Sequence, residues 1–156
     1  MIVKSDEVTI AKRNLPHWQI GGSVYFITFR SARGILPTIA LNEVKKHILF
    51  DHNKRYRLYF AVIMPDHVHI LLQPLKNVQD KFFTLKEILQ GIKGSSARSI
   101  NKVLQTSGTV WQAESFDRIM RNEEEMYEKW NYMWNNPIKA GLATGLEEYE
   151  FYVKPE

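Results

Sequence analysis

The chain has 156 residues, 44% of them hydrophobic and 24% charged, which is enough for one compact domain and excludes a disordered tail or a collagen-like repeat. Lys and Arg outnumber Asp and Glu by 21 to 17, a net charge of +4 that suits a polyanionic partner without demanding one. The absence of cysteine excludes a disulfide framework, a thiolate zinc site, an iron-sulfur cluster and a cysteine nucleophile, so any metal must rely on imidazole, carboxylate or carboxamide ligands.

No run approaches the ~20 apolar residues of a membrane span, and residues 1–12 lack the apolar region of a signal peptide. We therefore expect a cytoplasmic protein with no membrane association. No repeat, low-complexity tract or linker divides the chain, and one domain over residues 1–156 is the expectation. Val24-Tyr25-Phe26-Ile27-Thr28-Phe29 is β-branched and aromatic, with turn chemistry on both sides, and reads as the first strand. Helical spacing of Leu41, Val44, Ile48 and Leu49 predicts a helix from Leu41 to about Tyr56. Residues 58–64 and 67–72 form two β-rich runs separated by Pro65-Asp66, which predicts two strands joined by a tight turn. A second helix is predicted over residues 84–104, although Gly91 and Gly94 weaken its middle. Residues 111–120 read as a loop running into a short extended segment. Asn122 and Glu125 resemble a capping box that opens a final helix, with Pro137 expected to end it. This order matches an α+β, ferredoxin-like (RRM-like) sandwich, an antiparallel sheet with helices on one face.

Two segments carry candidate chemistry. In Met64-Pro65-Asp66-His67-Val68-His69, strand alternation sends His67 and His69 to the same side, ~6–7 Å apart at their origins, while Val68 points to the core. Such a pair can share a divalent cation, and it can equally be two histidines on an exposed sheet face. In the last helix Tyr132 and Asn136 are four residues apart and share a face, so a phenol can stand beside an oxygen ligand. The same aromatic-rich segment also fits plain amphipathic packing.

Together with Tyr132-Met133-Trp134-Asn135-Asn136-Pro137-Ile138-Lys139-Ala140-Gly141, the histidine segment resembles the two signatures of the REP-associated tyrosine transposases, single-tyrosine members of the HUH endonuclease superfamily. The similarity extends through Tyr25 to Arg30, through Ile92-Lys93-Gly94-Ser95-Ser96-Ala97-Arg98 and through Val110-Trp111-Gln112, in the expected order along most of the chain. The resemblance implies that His67 and His69 hold Mg²⁺ or Mn²⁺ and that Tyr132 attacks a DNA phosphate to give a 5′-phosphotyrosine. Asn136 is implied to assist at the metal, and the substrate to be single-stranded DNA beside a hairpin of the REP palindrome type. Asp66 stands where the family often has Asn, and Met133 where it often has Ile; neither change removes a functional group.

The chemistry agrees with these residue types. A divalent ion acts as a Lewis acid on the scissile phosphate, and a phenol that forms a phosphotyrosine is a good leaving group for rejoining. Two nitrogens beside oxygen ligands favour Mn²⁺ slightly over Mg²⁺, with zinc less expected. Basic residues alternate with aromatics along the chain, a pattern suited to unstacked single strands. Lys93, Arg98, Arg30 and Trp111 are the expected DNA contacts, and DNA binding would make the protein nucleoid-associated. A non-catalytic module for hairpin DNA or RNA and a water-using metallohydrolase are the other readings. The protein is expected as a monomer or as a homodimer in which the final helix is exchanged.

Overall fold

A computed structural model describes residues 22–145 and 148–155. Five strands and three helices follow one another as β1 (Val24–Ser31), α1 (Thr38–Phe50), β2 (Tyr56–Ile63), β3 (His67–Pro74), α2 (Leu85–Leu104), β4 (Trp111–Met120), α3 (Glu123–Lys139) and β5 (Tyr152–Val153). The strands form one sheet in the order β4-β1-β3-β2-β5, with every pairing antiparallel. Its first four strands have the ferredoxin-like arrangement, so the α+β sandwich read from the sequence stands.

Strand alternation divides the core into two layers. Ile27, Phe29, Val68, Ile70 and Leu72 face α1 and α2, which present Ala40, Leu41, Val44, Ile48, Ile88, Ile92 and Ile100 to them. Val24, Phe26, Phe60, Val62 and Leu71 face the other way and meet Met126, Trp130, Met133 and Trp134 of α3. The structure therefore corrects one detail of the expected architecture: helices cover both faces of the sheet, two on one and α3 on the other. Both faces of β1, β2 and β3 are apolar, and the second apolar face needs a cover of its own.

A register shift between Leu58 and Phe60 in the β2–β3 pairing turns Tyr59 and Phe60 to the same side. Phe60 then stacks on Trp130 (ring centroids 5.1 Å), Trp134 (5.0 Å) and Tyr152 (5.9 Å). Aromatic pairs of this kind contribute about 0.5–1.5 kcal/mol each beyond their buried area, and they fix where α3 lies along the sheet. Tyr152 also donates its hydroxyl to the Trp134 carbonyl.

Four further boundaries differ from the sequence expectation. The first helix spans Thr38–Phe50 and stops well before Tyr56, because Asn53 takes a left-handed conformation (φ 65°) and Tyr56 enters β2 with its hydroxyl donated to the Ile48 carbonyl. Residues 111–120 are a full ten-residue strand along β1. The last helix runs through Pro137 to Lys139, and the buried proline is tolerated within its final turn. At the start of α3 the Asn122 side chain accepts from the Glu125 N–H (2.9 Å), but the Glu125 carboxylate accepts from the Arg121 N–H (2.8 Å), one residue before the N-cap. Among the described residues no helix is long and apolar enough to cross a membrane.

Candidate active site

His67 and His69 leave β3 on the α3 side, separated by buried Val68, and their rings lie edge to face at 4.7 Å between centroids. His67 is half-buried. Its Nδ1 is 2.6 Å from Asp66 Oδ1 and its Nε2 is 3.2 Å from Asn136 Oδ1. A carboxylate at Nδ1 favours the proton on that nitrogen and leaves the Nε2 lone pair facing the carboxamide oxygen. Both atoms can face one cation at this distance, and a carboxamide turned to present its NH2 would instead donate to Nε2.

His69 is 3% exposed. Its Nδ1 shares a 2.7 Å hydrogen bond with Thr28 Oγ1, its cross-strand partner in β1, and its ring stacks on Phe26 at 5.2 Å. Its Nε2 is buried with no hydrogen-bond partner among the described residues. Burial first, then the positive neighbours His67, Arg30 and Lys129, push its pKa down to about 3, so the imidazole is neutral at physiological pH. A neutral ring anchored at Nδ1 with an unused Nε2 is the form in which histidine accepts a metal.

Tyr132 projects from α3 against the same ring, 5.4 Å from His69 and 6.3 Å from Phe26 between centroids, and it remains 45% exposed. Lys129, one turn earlier, holds its ammonium 4.7 Å from the Phe26 ring centre and 5.5 Å from that of Tyr132. The fold thus brings His67, His69, Tyr132 and Asn136 together. The two histidines come from the sheet, while Tyr132 and Asn136 come from adjacent turns of α3. Among the described residues no three His, Asp or Glu are placed to hold a metal ion together, so a metal here would depend on two imidazoles, the Asn136 carboxamide and solvent or substrate oxygens.

A cavity of about 560 Å³ opens beside His69 and Tyr132 and is bounded by Arg30, Lys129, Glu114 and Phe116. Of the four expected DNA contacts, Arg30 is exposed at this cavity. Arg98 is exposed on α2, the helix that covers the opposite face. Lys93 donates to the Gln112 carbonyl (2.8 Å), the Ala113 carbonyl (3.3 Å) and Ser115 Oγ (3.1 Å), and partial burial lowers its pKa. It braces β4. Trp111 is 5% exposed, edge-on to Phe29 at 4.8 Å, with its indole N–H donated to buried Ser96 (3.0 Å). No open ring face is left for a base, and packing replaces the expected DNA contact. Sequence reasoning missed Thr28 and Lys129. Both carry a signal in retrospect, Thr28 through alternation with Phe26 and Arg30, and Lys129 through its three-residue spacing from Tyr132.

Residues 28–130 match the family model described as "Transposase IS200 like", and the chain belongs to that family, as its resemblance to REP-associated tyrosine transposases anticipated. Both histidines lie within the matched span, and Tyr132 and Asn136 lie just beyond it. A Haemophilus influenzae protein described as a REP-associated tyrosine transposase is 22% identical over 132 residues, which cover 73% of this chain and 75% of that one. The structure of a REP-associated tyrosine transposase bound to a REP hairpin superposes with a TM-score of 0.67 at 18% identity, covering 89% of this chain and 81% of the other. A Deinococcus radiodurans protein described as a transposase gives a TM-score of 0.53 at 16% identity, covering 77% and 95%.

Proposed function

We propose that this transposase-family chain is a metal-dependent endonuclease and strand transferase for single-stranded DNA beside a hairpin, with Tyr132 as the nucleophile. The observation that carries the reading is that the unpartnered His69 Nε2 and the exposed Tyr132 ring share one cavity, while the His67–Asn136 pair at 3.2 Å adjoins them through the His67–His69 ring contact. This donor set fits Mg²⁺ or Mn²⁺, held by His67, His69 and Asn136. When bound, the ion would draw charge from the non-bridging phosphate oxygens.

The chain's own residues supply the remaining chemistry. Tyr132 Oη forms a bond to phosphorus and gives its proton to solvent, and the bond from phosphorus to the 3′ oxygen breaks. That oxygen takes up a proton as a free 3′-hydroxyl, leaving the DNA joined to the protein through a 5′-phosphotyrosine. Attack by a 3′-hydroxyl on this ester reverses the step and transfers a strand. Lys129, with its charge beside the Tyr132 ring, and Arg30, exposed at the cavity, both favour an entering phosphate. A hairpin-bound relative with the same fold supports a hairpin as the partner.

The test is incubation of end-labelled hairpin DNA carrying unpaired flanks with Mn²⁺, followed by denaturing electrophoresis. A protein-DNA adduct is expected for the parent and for Tyr127→Phe, and none for Tyr132→Phe, which should still bind the hairpin. Tyr127 lies five residues earlier, about 140° around the helix. An adduct that survives Tyr132→Phe overturns the nucleophile. Cleavage without any adduct favours a water-using hydrolase, and binding without cleavage favours a binding module.

A further inference from the structure

Glu114 is out of keeping with its surroundings. It lines the cavity beside His69 and Tyr132, where Arg30 and Lys129 supply positive charge suited to phosphate, and it is exposed with no hydrogen-bond or ion-pair partner among the described residues. A carboxylate repels a phosphate backbone and only accepts hydrogen bonds, so within this cavity it suits a ligand group that donates them. Two residues along the same strand, Phe116 also lines the cavity and is 56% exposed. Its ring meets Phe26 edge to face at 6.5 Å and 69°, while more than half of its surface stays open to a ligand. Phe116 is the cross-strand neighbour of Thr28, whose hydroxyl anchors His69. One exposed phenylalanine alone would mean little. Here an open ring, a free carboxylate and the candidate nucleophile share one cavity.

From this arrangement we infer that β4 carries a nucleobase subsite beside the cleavage position, in which a base flanking the scissile phosphate stacks on Phe116 and is read at its edge by Glu114. The inference rests on the proposed function and names a specificity-determining pair for it. Bases stack on aromatic side chains irrespective of sequence, and hydrogen bonding at the base edge then selects among them. A carboxylate has two acceptor oxygens and no donor. Guanine is the DNA base whose unpaired edge offers two adjacent donors, N1–H and the 2-amino group, so it alone can meet both oxygens. Adenine and cytosine offer a single amino group beside a ring-nitrogen acceptor, and thymine a single N–H between two carbonyls, so none sets two adjacent donors against the carboxylate. The cavity, at about 560 Å³, has room for a nucleotide. Lys93, bound to the Gln112 and Ala113 carbonyls and to Ser115 Oγ, holds the strand that presents both residues.

The test uses the full chain and a pool of DNA hairpins with randomised unpaired flanks. The bound fraction is sequenced both in chelator and with Mn²⁺, alongside circular dichroism to check the fold. The parent should enrich guanine at one flank position, and Glu114→Gln should abolish that enrichment while still binding hairpins, since its amide would set a donor against a guanine donor. Replacing the selected guanine with inosine, which lacks the 2-amino group, should weaken the parent several-fold and leave Glu114→Gln unaffected. Phe116→Ala should weaken binding about tenfold for any flank, and Phe116→Trp should restore it. Hairpin binding with no base preference, or a guanine preference that survives Glu114→Gln, overturns the subsite and leaves the proposed function standing. Failure to bind any member of the pool overturns both.

Discussion

Ser96 and Trp111 form a buried pair whose removal should read as lost stability with DNA binding intact. Ser96 is fully buried, and its Oγ accepts the Trp111 indole N–H at 3.0 Å while donating to the Lys93 carbonyl at 3.3 Å. Ser96→Ala leaves the indole N–H in an apolar pocket against Phe29, and an unsatisfied buried donor costs about 1–3 kcal/mol. The better helix propensity of alanine in α2 returns roughly 0.5 kcal/mol. The net loss should lower the melting temperature by about 2–8 °C in a domain of this size. Trp111→Phe removes the donor itself and leaves Ser96 still bonded to Lys93, so its cost comes from lost volume alone. In the double variant no donor is stranded, and the two single costs should exceed the double cost by about 1–2 kcal/mol. Urea unfolding followed by circular dichroism measures all three, and hairpin affinity of the folded proteins should be unchanged. Additive single effects, or a fall in DNA affinity for Trp111→Phe with stability untouched, would refute the packing argument and restore Trp111 as a DNA contact.

Two more predictions concern the site face and its support. Because burial holds the His69 pKa at about 3, against an ordinary 6.5, the unfolded chain takes up the proton first as the pH falls. The stability gained by keeping His69 neutral is therefore complete above about pH 6.5 and drains away towards pH 3, by at most ~1.4 kcal/mol per unit. Denaturant midpoints measured in chelator at several pH values should show this slope in the parent and a flatter one in His69→Gln; equal slopes would refute it. Arg33 donates to the Thr109, Ser107 and Gly108 carbonyls, to Thr106 Oγ1 and to Asn101 Oδ1, which fastens the end of β1 to the loop before β4. Arg33→Lys keeps the charge and loses the fork, so it should destabilise by about 1–2 kcal/mol and speed hydrogen exchange at residues 106–109. An unchanged exchange pattern would argue against it.

The parts of the fold that local periodicity controls were legible in advance. Alternation in β1 and β3 placed Val68 in the core and His67 with His69 on the other side, and the four-residue spacing of Tyr132 and Asn136 put them on one helix face, as observed. What failed was decided by tertiary context. Tyr56 looks like the end of a helix, yet its burial and its hydroxyl bond draw it into the sheet. Most β4 side chains are exposed, so the strand has no apolar alternation to announce it and exists through its ladder with β1. Pro137 read as a stop, yet α3 continues two residues past it to Lys139 with the proline buried, so packing outweighs the one helical bond that its missing N–H gives up. The bulge at Tyr59 has no local signature, and it is what turns Phe60 toward α3. The loss of Trp111 as a base platform has the same origin, since composition does not distinguish a ring that stacks on DNA from one that fills a core.

The site is divided between two layers. The sheet holds the histidines, α3 holds the phenol and the carboxamide, and their spacing across the gap is set by the packing between the layers. A helix advances 1.5 Å per residue, and a displacement of that size is enough to cost a reaction about two orders of magnitude. The stack of Phe60 on Trp130 and Trp134, with Tyr152 against it, therefore acts as the ruler of the site. It meters the distance from the Tyr132 phenol to the histidines from the far side of the helix. Changes in the buried rings of that stack would therefore do two things at once: loosen the core and move Tyr132 along the sheet relative to the histidines.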